Sequence, residues 1–281
     1  MPVTWSVRGT SLSNADHTLI MGILNVTPDS FSDGGHFLDH DAAVAHGLQM
    51  WADGADLIDV GGESTRPGAS AVDADDEMTR VLPVVAALAG SGALVSIDTS
   101  KAVVAAAAVA AGAVVINDVT ALSDPAMAAV AADTGCGLVL MHMQGTPRTM
   151  QTDPHYEDVV VEVRDFLLGR VEIAMAAGVP GERICLDPGI GFGKNLRHNL
   201  DLLSGGVATL AATGHPVLVG ASRKSFLERI LGPIPPEERD TATAAAHALA
   251  IAGGATAIRV HRVVEALRSA RVVEAIVRGT P

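Results

Sequence analysis

The chain reads as a single (β/α)8 TIM barrel with an N-terminal β-hairpin covering its bottom. Three observations predict this: eight short apolar strands each lead toward a helical pattern, no linker interrupts the series, and strand after strand ends on a polar residue. A length of 281 residues is normal for one such barrel. A doubly wound sheet is the competing architecture. It would show fewer units and a Gly-rich dinucleotide loop after its first strand, where this chain has Asn25-Val26-Thr27-Pro28.

Residues 1–18 are read as the hairpin, one arm at 3–8, a turn around 9–16 and the second arm from Thr18; residues 19–281 are the barrel. Strand one runs to Leu24 and closes on Asn25. A loop follows, holding two carboxylates, three hydroxyls and one aromatic, longer than a plain strand-to-helix connection needs. It is read as a mobile functional loop. The next helix starts near Asp41, with Val44, Leu48 and Ala52 on one face. Strand two is 56–62, followed by loop 63–68 and a helix through Leu88. Strand three is 94–98, with an Ala-rich helix from Lys101. Strand four is 114–118, with a helix after Asp124-Pro125. Strand five is 138–143, and its helix sets Val159, Val163, Phe166, Leu167, Val171 and Ala174 on one face. Strand six is 184–187, leading into Pro188-Gly-Ile-Gly-Phe192-Gly-Lys194. Strand seven is 217–221, with Ser222-Arg223-Lys224-Ser225 at a helix start. A further helix covers 240–252, strand eight is 257–261, and a final helix starts at Val263.

Composition narrows the function classes. Hydrophobic residues make up 48% and aromatics only 3%, so the core is built of Ala, Val, Leu and Ile. A net charge of −13 argues against a general nucleic-acid or membrane-surface role, so positive charge must be local. Cys136 and Cys185 match no metal spacing and read as reduced core residues of a cytosolic protein. The N-terminus shows no signal-peptide apolar stretch, and the run 102–116 is too short to span a bilayer.

Residues two apart on a strand share a face. Val95 and Ile97 alternate with Ser96 and Asp98, Ile184 and Leu186 with Cys185 and Asp187, and Ile258 and Val260 with Arg259 and His261. If the apolar phase packs under the helices, Asn25, Asp59, Asp98, Asn117, Asp187, Arg259 and His261 converge at the C-terminal mouth of the barrel. One buried polar strand residue is an ordinary satisfied group; a ring of them is better explained by a ligand. Asp98, Asp187 and Asn117 suit a flat heterocycle carrying several N–H donors, and Lys224 can donate to its carbonyl or nitrogen. The chain has three lysines, Lys101, Lys194 and Lys224, and each follows a strand end. Arg259 and His261, with Asn25 as a Mg²⁺ ligand, outline a diphosphate pocket. The helix start at Ser225 offers N–H groups to a carboxylate or phosphate. His142 is placed in the layer between barrel and helices, while Met141 and Met143 could pack on a flat ring. Asp29, Asp33, Glu63 and Arg66 are loop charges. No Gly-x-Ser-x-Gly elbow, His-Glu-x-x-His helix or Walker loop is present.

The segments MGILNVTPDSFSDGG, DVGGESTRPGA, SIDTSK, INDV, LMHMQGTP, LDPGIGFGK, GASRKSF and RVH closely resemble the dihydropteroate synthases, the folate-pathway members of the pterin-binding barrels, along nearly the whole chain from Ile20. The resemblance implies condensation of 6-hydroxymethyl-7,8-dihydropterin diphosphate with 4-aminobenzoate, release of pyrophosphate, assistance by Mg²⁺ and a homodimer. It implies Asp98, Asn117, Asp187 and Lys224 for the pterin, and Thr65, Arg259 and His261 for the diphosphate. Asn25 would serve Mg²⁺, Ser225 the aminobenzoate carboxylate, and Phe31, Pro67 and Phe192 its ring. Asp33, Thr65, Arg66 and Lys224 form the implied catalytic set.

An SN1-like route agrees with these residues. The electron-rich dihydropterin stabilises a methylene cation, so no protein nucleophile is needed, and no side chain is expected in a base-activated arrangement. Loops one and two would close over the cation. Asp33→Ala should then depress turnover and spare pterin binding, and equal loss of both would remove the closure idea. Arg262 departs from the family, which usually has Asp there; strand parity turns it away from Arg259 and His261. Two alternatives stand beside this reading. A methyltetrahydrofolate–corrinoid methyltransferase needs no diphosphate pocket, and an inactive pterin-binding paralogue needs no intact loops.

Overall fold

The computed structural model describes residues 2–27, 39–64, 68–69 and 71–279. The expectations for Asp29, Phe31, Asp33, Thr65, Arg66 and Pro67 fall outside these residues. The chain opens on an antiparallel hairpin, β1 (Thr4–Val7) with β2 (Thr10–Ser13). Eight parallel strands follow: β3 (Leu19–Asn25), β4 (Leu57–Gly61), β5 (Val95–Asp98), β6 (Val115–Asp118), β7 (Gly137–Met141), β8 (Ile184–Asp187), β9 (Leu218–Val219) and β10 (Ala257–Val260). They pair in the order β8-β7-β6-β5-β4-β3-β10-β9. A Leu186–Val217 bridge, with the Leu186 N–H donating to the Pro216 carbonyl at 2.8 Å, joins the two ends. The sheet is a closed barrel.

Helices α1 (His40–Ala52), α2 (Ala74–Gly90), α3 (Ala102–Ala110), α4 (Met127–Thr134) and α5 (Val159–Ala176) follow successive strands. After β8 come α6 (Leu196–Asp201) and α7 (Val207–Ala211), joined by a π turn at Leu202–Gly206. Then come α8 (Ser225–Leu231), α9 (Asp240–Ala252) and α10 (Val263–Arg278). Asp39, Asp73 and Asp158 cap α1, α2 and α5 by accepting backbone N–H bonds. The stripe predicted for α5 is buried at Val159, Val163, Leu167, Val171 and Ala174. The helical stretch between β8 and β9 is absent from the sequence reading, because its Leu-rich face is broken by Gly205 and Gly206.

Strand parity sorts the interior into two clusters. Val95, Ile97, Ile184, Leu186, Ile258 and Val260 belong to the layer under the helices. Met21, Leu57, Val115, Val139, Cys185 and Leu218 face the lumen and pack with Trp5 and Val7 of the hairpin. Trp5 is fully buried, and its indole donates to the Arg183 carbonyl at 2.8 Å. A Cβ on Gly137, at the start of β7, would lie 2.7 Å from Val7 Cγ1, so only glycine lets the hairpin sit this close. The hairpin therefore plugs the N-terminal end of the barrel, as expected. Its second arm is corrected: it is β2, not the segment from Thr18, which enters β3. Residues 10–13 face largely outward and lack the alternation that marks a half-buried strand.

Candidate active site

Above the apolar plug the same lumen phase turns polar. Register sets Asp98 of β5 beside Asn117 of β6, Asp59 of β4 beside Ser96, and Met141 of β7 beside Asp187 of β8. Arg259 of β10 crosses the lumen. Its Nε donates to Asp59 Oδ2 at 2.6 Å and its Nη2 to Asp98 Oδ2 at 2.7 Å. Asn117 Nδ2 donates to the same Asp59 oxygen at 3.0 Å. Four side chains from four strands thus form one hydrogen-bonded chain, with Asp59 wholly buried beneath it. The Asp59 Oδ1 and Ser96 Oγ atoms are buried with no partner among the described residues.

Asp187 lies close enough to feel Lys224, Lys194 and Arg259. Its carbonyl accepts the His142 N–H at 3.0 Å, and its Oδ1 accepts the Gly189 N–H at 2.7 Å. At Gly189, with φ +66°, a Cβ would sit 1.9 Å from the His142 carbonyl oxygen, so the tight turn behind Asp187 requires glycine. Lys224 reaches over the Phe192 ring, its ammonium 3.8 Å from the centroid. The loop that delivers Lys224 carries Arg223 at φ +59°, a costly conformation for a side-chain-bearing residue. It is held by α9: Arg223 forks onto Asp240 with two 2.7 Å bonds, and its N–H donates to Thr243 Oγ1 at 3.0 Å.

Burial dominates the electrostatics. It pushes the Asp98 carboxyl up to about 7 against the pull of Arg259, with the Asp59 charge adding to the rise. It raises Asp187, opposed by the Gly189 N–H and by Lys224. It lowers Lys224 to about 7, opposed by Asp187. Cys185, below the polar tier, is pushed well above the ordinary thiol range by burial, so it is no thiolate nucleophile.

The predicted residues fall into groups. Asp98, Asn117, Asp187, Lys224 and Arg259 come together at the mouth. Arg259 spends two donors on carboxylates, so it stands nearer the ring acceptors than the diphosphate role alone requires. His261 lies at the rim, its Nδ1 2.9 Å from Ser222 Oγ. The sequence reading expected no such Ser–His contact. Ser222 Oγ also accepts the His261 backbone N–H at 3.4 Å, so the hydroxyl braces the end of β10. Asn25 is half-buried at the end of β3, and Ser225 is exposed at the first residue of α8. His142 lies in the helix layer as expected, edge-on to Phe166 of α5 at 4.9 Å between centroids. Cys136 and Cys185 are buried and free. Arg262 points away from the mouth and pairs with Glu265 at 2.6 Å.

Two features escaped sequence reasoning. Lys101 bonds both Glu63 and the fully buried Glu77 of α2, the latter at 2.5 Å. Lys194 is buried behind Asp187. Their only signal was lysine scarcity combined with position after a strand end. Among the described residues no group of three His, Cys, Asp or Glu could hold a metal ion, and no helix is long and apolar enough to cross a membrane.

Comparison with known proteins places this geometry. Residues 21–261 match the family model described as pterin binding enzyme. The chain is 49% identical over 270 residues to dihydropteroate synthase of Mycobacterium leprae, covering 93% of this chain and 94% of that protein. Among solved structures, Yersinia pestis dihydropteroate synthase with a sulfonamide drug superimposes with a TM-score of 0.91 at 44% identity, covering 98% and 99% of the two chains. The Xanthomonas albilineans enzyme with 4-aminobenzoic acid also gives a TM-score of 0.91, at 45% identity, covering 99% and 100%.

Proposed function

This chain belongs to the pterin binding enzymes, as a dihydropteroate synthase, and on that premise we propose how its barrel mouth divides the work. The reaction joins 6-hydroxymethyl-7,8-dihydropterin diphosphate to 4-aminobenzoate, giving 7,8-dihydropteroate and pyrophosphate. The observation that carries the proposal is the linked chain Asn117–Asp59–Arg259–Asp98, facing Asp187 and Lys224 across one lumen. Asp98, Asn117 and Asp187 accept from the ring's N–H groups, and Lys224 donates to its acceptors. His261 and Arg259 meet the diphosphate at the rim, together with Thr65. Ser225 and Phe192 take the second substrate's carboxylate and ring, with Phe31 and Pro67; Asp33 and Arg66 complete the catalytic set.

The C–O bond to the diphosphate breaks first, its electron pair leaving with pyrophosphate. The resulting methylene cation is delocalised into the dihydropterin. The arylamine nitrogen then forms the C–N bond and sheds one proton. The buried mouth excludes water from the cation and holds the amine close. Mg²⁺ fits this set as a substrate-borne ion. Asn25 would offer it one hard oxygen beside the oxygens of the substrate's diphosphate. When bound, the ion neutralises charge on the leaving group. The exposed Leu249 on α9 and Val272 and Ile276 on α10 support the homodimer reading.

The test is to mix the protein with dihydropterin diphosphate, 4-aminobenzoate and Mg²⁺ and follow pyrophosphate. Release that requires 4-aminobenzoate supports the proposal; methyl transfer from methyltetrahydrofolate to a corrinoid instead would replace it. EDTA should abolish turnover without weakening binding of the bare pterin ring. Ser222→Ala should keep turnover within about tenfold, since Ser222 acts as a brace; a seryl-enzyme route predicts a loss on the order of a thousandfold or more.

A further inference from the structure

Lys194 follows β8 by seven positions, yet the residue is 2% exposed, and its ammonium turns back onto His142 and Phe192 behind Asp187. Its ammonium meets three neutral acceptors: His142 Nδ1 at 2.9 Å, the Phe192 carbonyl at 2.9 Å and the His142 carbonyl at 3.3 Å. Three donors are matched by three acceptors, but no carboxylate among the described residues bonds it. A buried cation without a bonded counter-charge is costly unless a nearby charge compensates. The compensating charge is Asp187.

The surroundings of Lys194 are held by a set of backbone clamps. Tyr156 Oη donates to the Gly193 carbonyl at 2.8 Å and Gln151 Nε2 to the Gly191 carbonyl at 2.6 Å. The Gly191 N–H donates to Asn199 Oδ1 at 2.6 Å. The loop 188–194 is therefore a fixed wall carrying Phe192, the ring on which Lys224 rests.

We propose that Lys194 is a positioning residue of the pterin site, a buried second cation that acts through Asp187 while its hydrogen bonds fix the Phe192 backbone and the His142 ring. The inference rests on the ring site proposed above. Asp187 must accept from the ring as a carboxylate, and burial works against its ionisation. An ammonium behind it offsets that penalty. Lys194 itself is lowered to about 7 by burial, with Asp187 opposing and Lys224 adding to the fall.

The charged and titratable groups around this pair are few. Lys224 faces it from the loop before α8, and Arg259 of β10 reaches Asp187 from across the lumen. His142 lies at the end of β7, His198 on α6, and Tyr156 in the segment before α5. Cys185 of β8 lies near Asp187. Burial drives His142 down to about 3, so it stays neutral and keeps accepting from Lys194.

The test is the pH dependence of binding of 6-hydroxymethylpterin, which carries no diphosphate, to the unaltered protein, Lys194→Met and Lys194→Gln. Gln removes the charge while keeping two N–H donors on a shorter side chain, and Met removes charge and donors together. Both variants should move the acid limb of binding upward by about one unit, so affinity falls about tenfold at pH 6 and converges on the unaltered protein by pH 9. A purely structural role predicts the same loss at every pH, and that result, or no loss, overturns the proposal. Failure of the unaltered protein to bind the ring removes the site reading itself, and Lys194 with it.

Should both variants fail to fold, the lysine side-chain NMR signals of the unaltered protein decide. There are three lysines. Saturation with the ring should raise the titration midpoints of two of them, Lys224 by contact and Lys194 by linkage through Asp187; movement of Lys224 alone overturns the assignment.

Discussion

Asp98 and Lys224 are each held near the point of changing charge, and opposite protonation states suit ring binding. Asp98 accepts as a carboxylate and is pushed up to about 7; Lys224 donates as an ammonium and is pushed down to about 7, both by burial. Ring affinity should therefore fall below neutrality as Asp98 gains its proton, with Asp187, also raised by burial, adding to that limb, and fall again above it as Lys224 loses its own. Calorimetric titration between pH 5 and 9 should give a bell, and a flat profile would show that neither group meets the ring. The same shifts act on folding. Asp98, raised in the folded state, contributes stability below the ordinary Asp range that is lost as pH rises through about 7. Lys224, lowered, contributes stability above the ordinary Lys range that is lost as pH falls through about 7. Much of this site was legible in the sequence, because strand parity needs only alternation. Asp98, Asn117, Asp187 and Arg259 could be set on one face with no knowledge of the fold's details. What parity could not supply was partnership. That Arg259 forks onto Asp59 and Asp98, or that Lys194 folds back behind Asp187, depends on side-chain reach across the lumen.

At the scale of elements, strands and long helices were readable, and ends and short pieces were not. The β8 span and the α9 span agree with the sequence reading, while β9 shrinks to Leu218–Val219 and the second hairpin arm moved. β9 is short because the flanking Val217 spends its own groups at the edge of the ladder: its carbonyl accepts the Thr256 and Ala257 N–H groups, and its N–H donates to Thr256 Oγ1. Arg262 is an instructive position. It is the N-cap of α10, makes no side-chain cap bond, and has Glu265 three residues on. Arg262→Asp would create a capping box and should stabilise the protein by about 0.5–2 kcal/mol. The exposed pair it sacrifices is worth less. Urea unfolding should show a higher midpoint with turnover unchanged; a lower midpoint would mean that the Arg262–Glu265 pair matters more than the cap. At the opposite end, Trp5→Ala should cost about 3–5 kcal/mol by opening the plug. If β1 only covers the barrel, ring affinity measured well below the transition should not change.

The whole molecule reconciles two facts that look opposed, a net charge of −13 and anionic substrates. Positive charge is concentrated where strands end: Lys224, Lys194 and Arg259 lie at or behind the mouth, each facing buried acid. The barrel makes this possible, because closure brings β3 and β10 side by side and carries residues 200 positions apart, Asp59 and Arg259, into contact. Composition and repeat count were enough to predict that closure; the apolar surface on α9 and α10 became visible only once the helices were packed. Replacing Ile276, 76% exposed, with Asp should shift the protein toward monomers in sedimentation if that face joins two copies. The central claim is that separate strands supply one ring site, and binding of 6-hydroxymethylpterin to the Asn117→Ala and Asp187→Asn variants tests it most directly. Each substitution removes a buried hydrogen-bond partner and should weaken binding by roughly 10- to 100-fold while the protein stays folded. Unchanged affinity in both folded variants would contradict it.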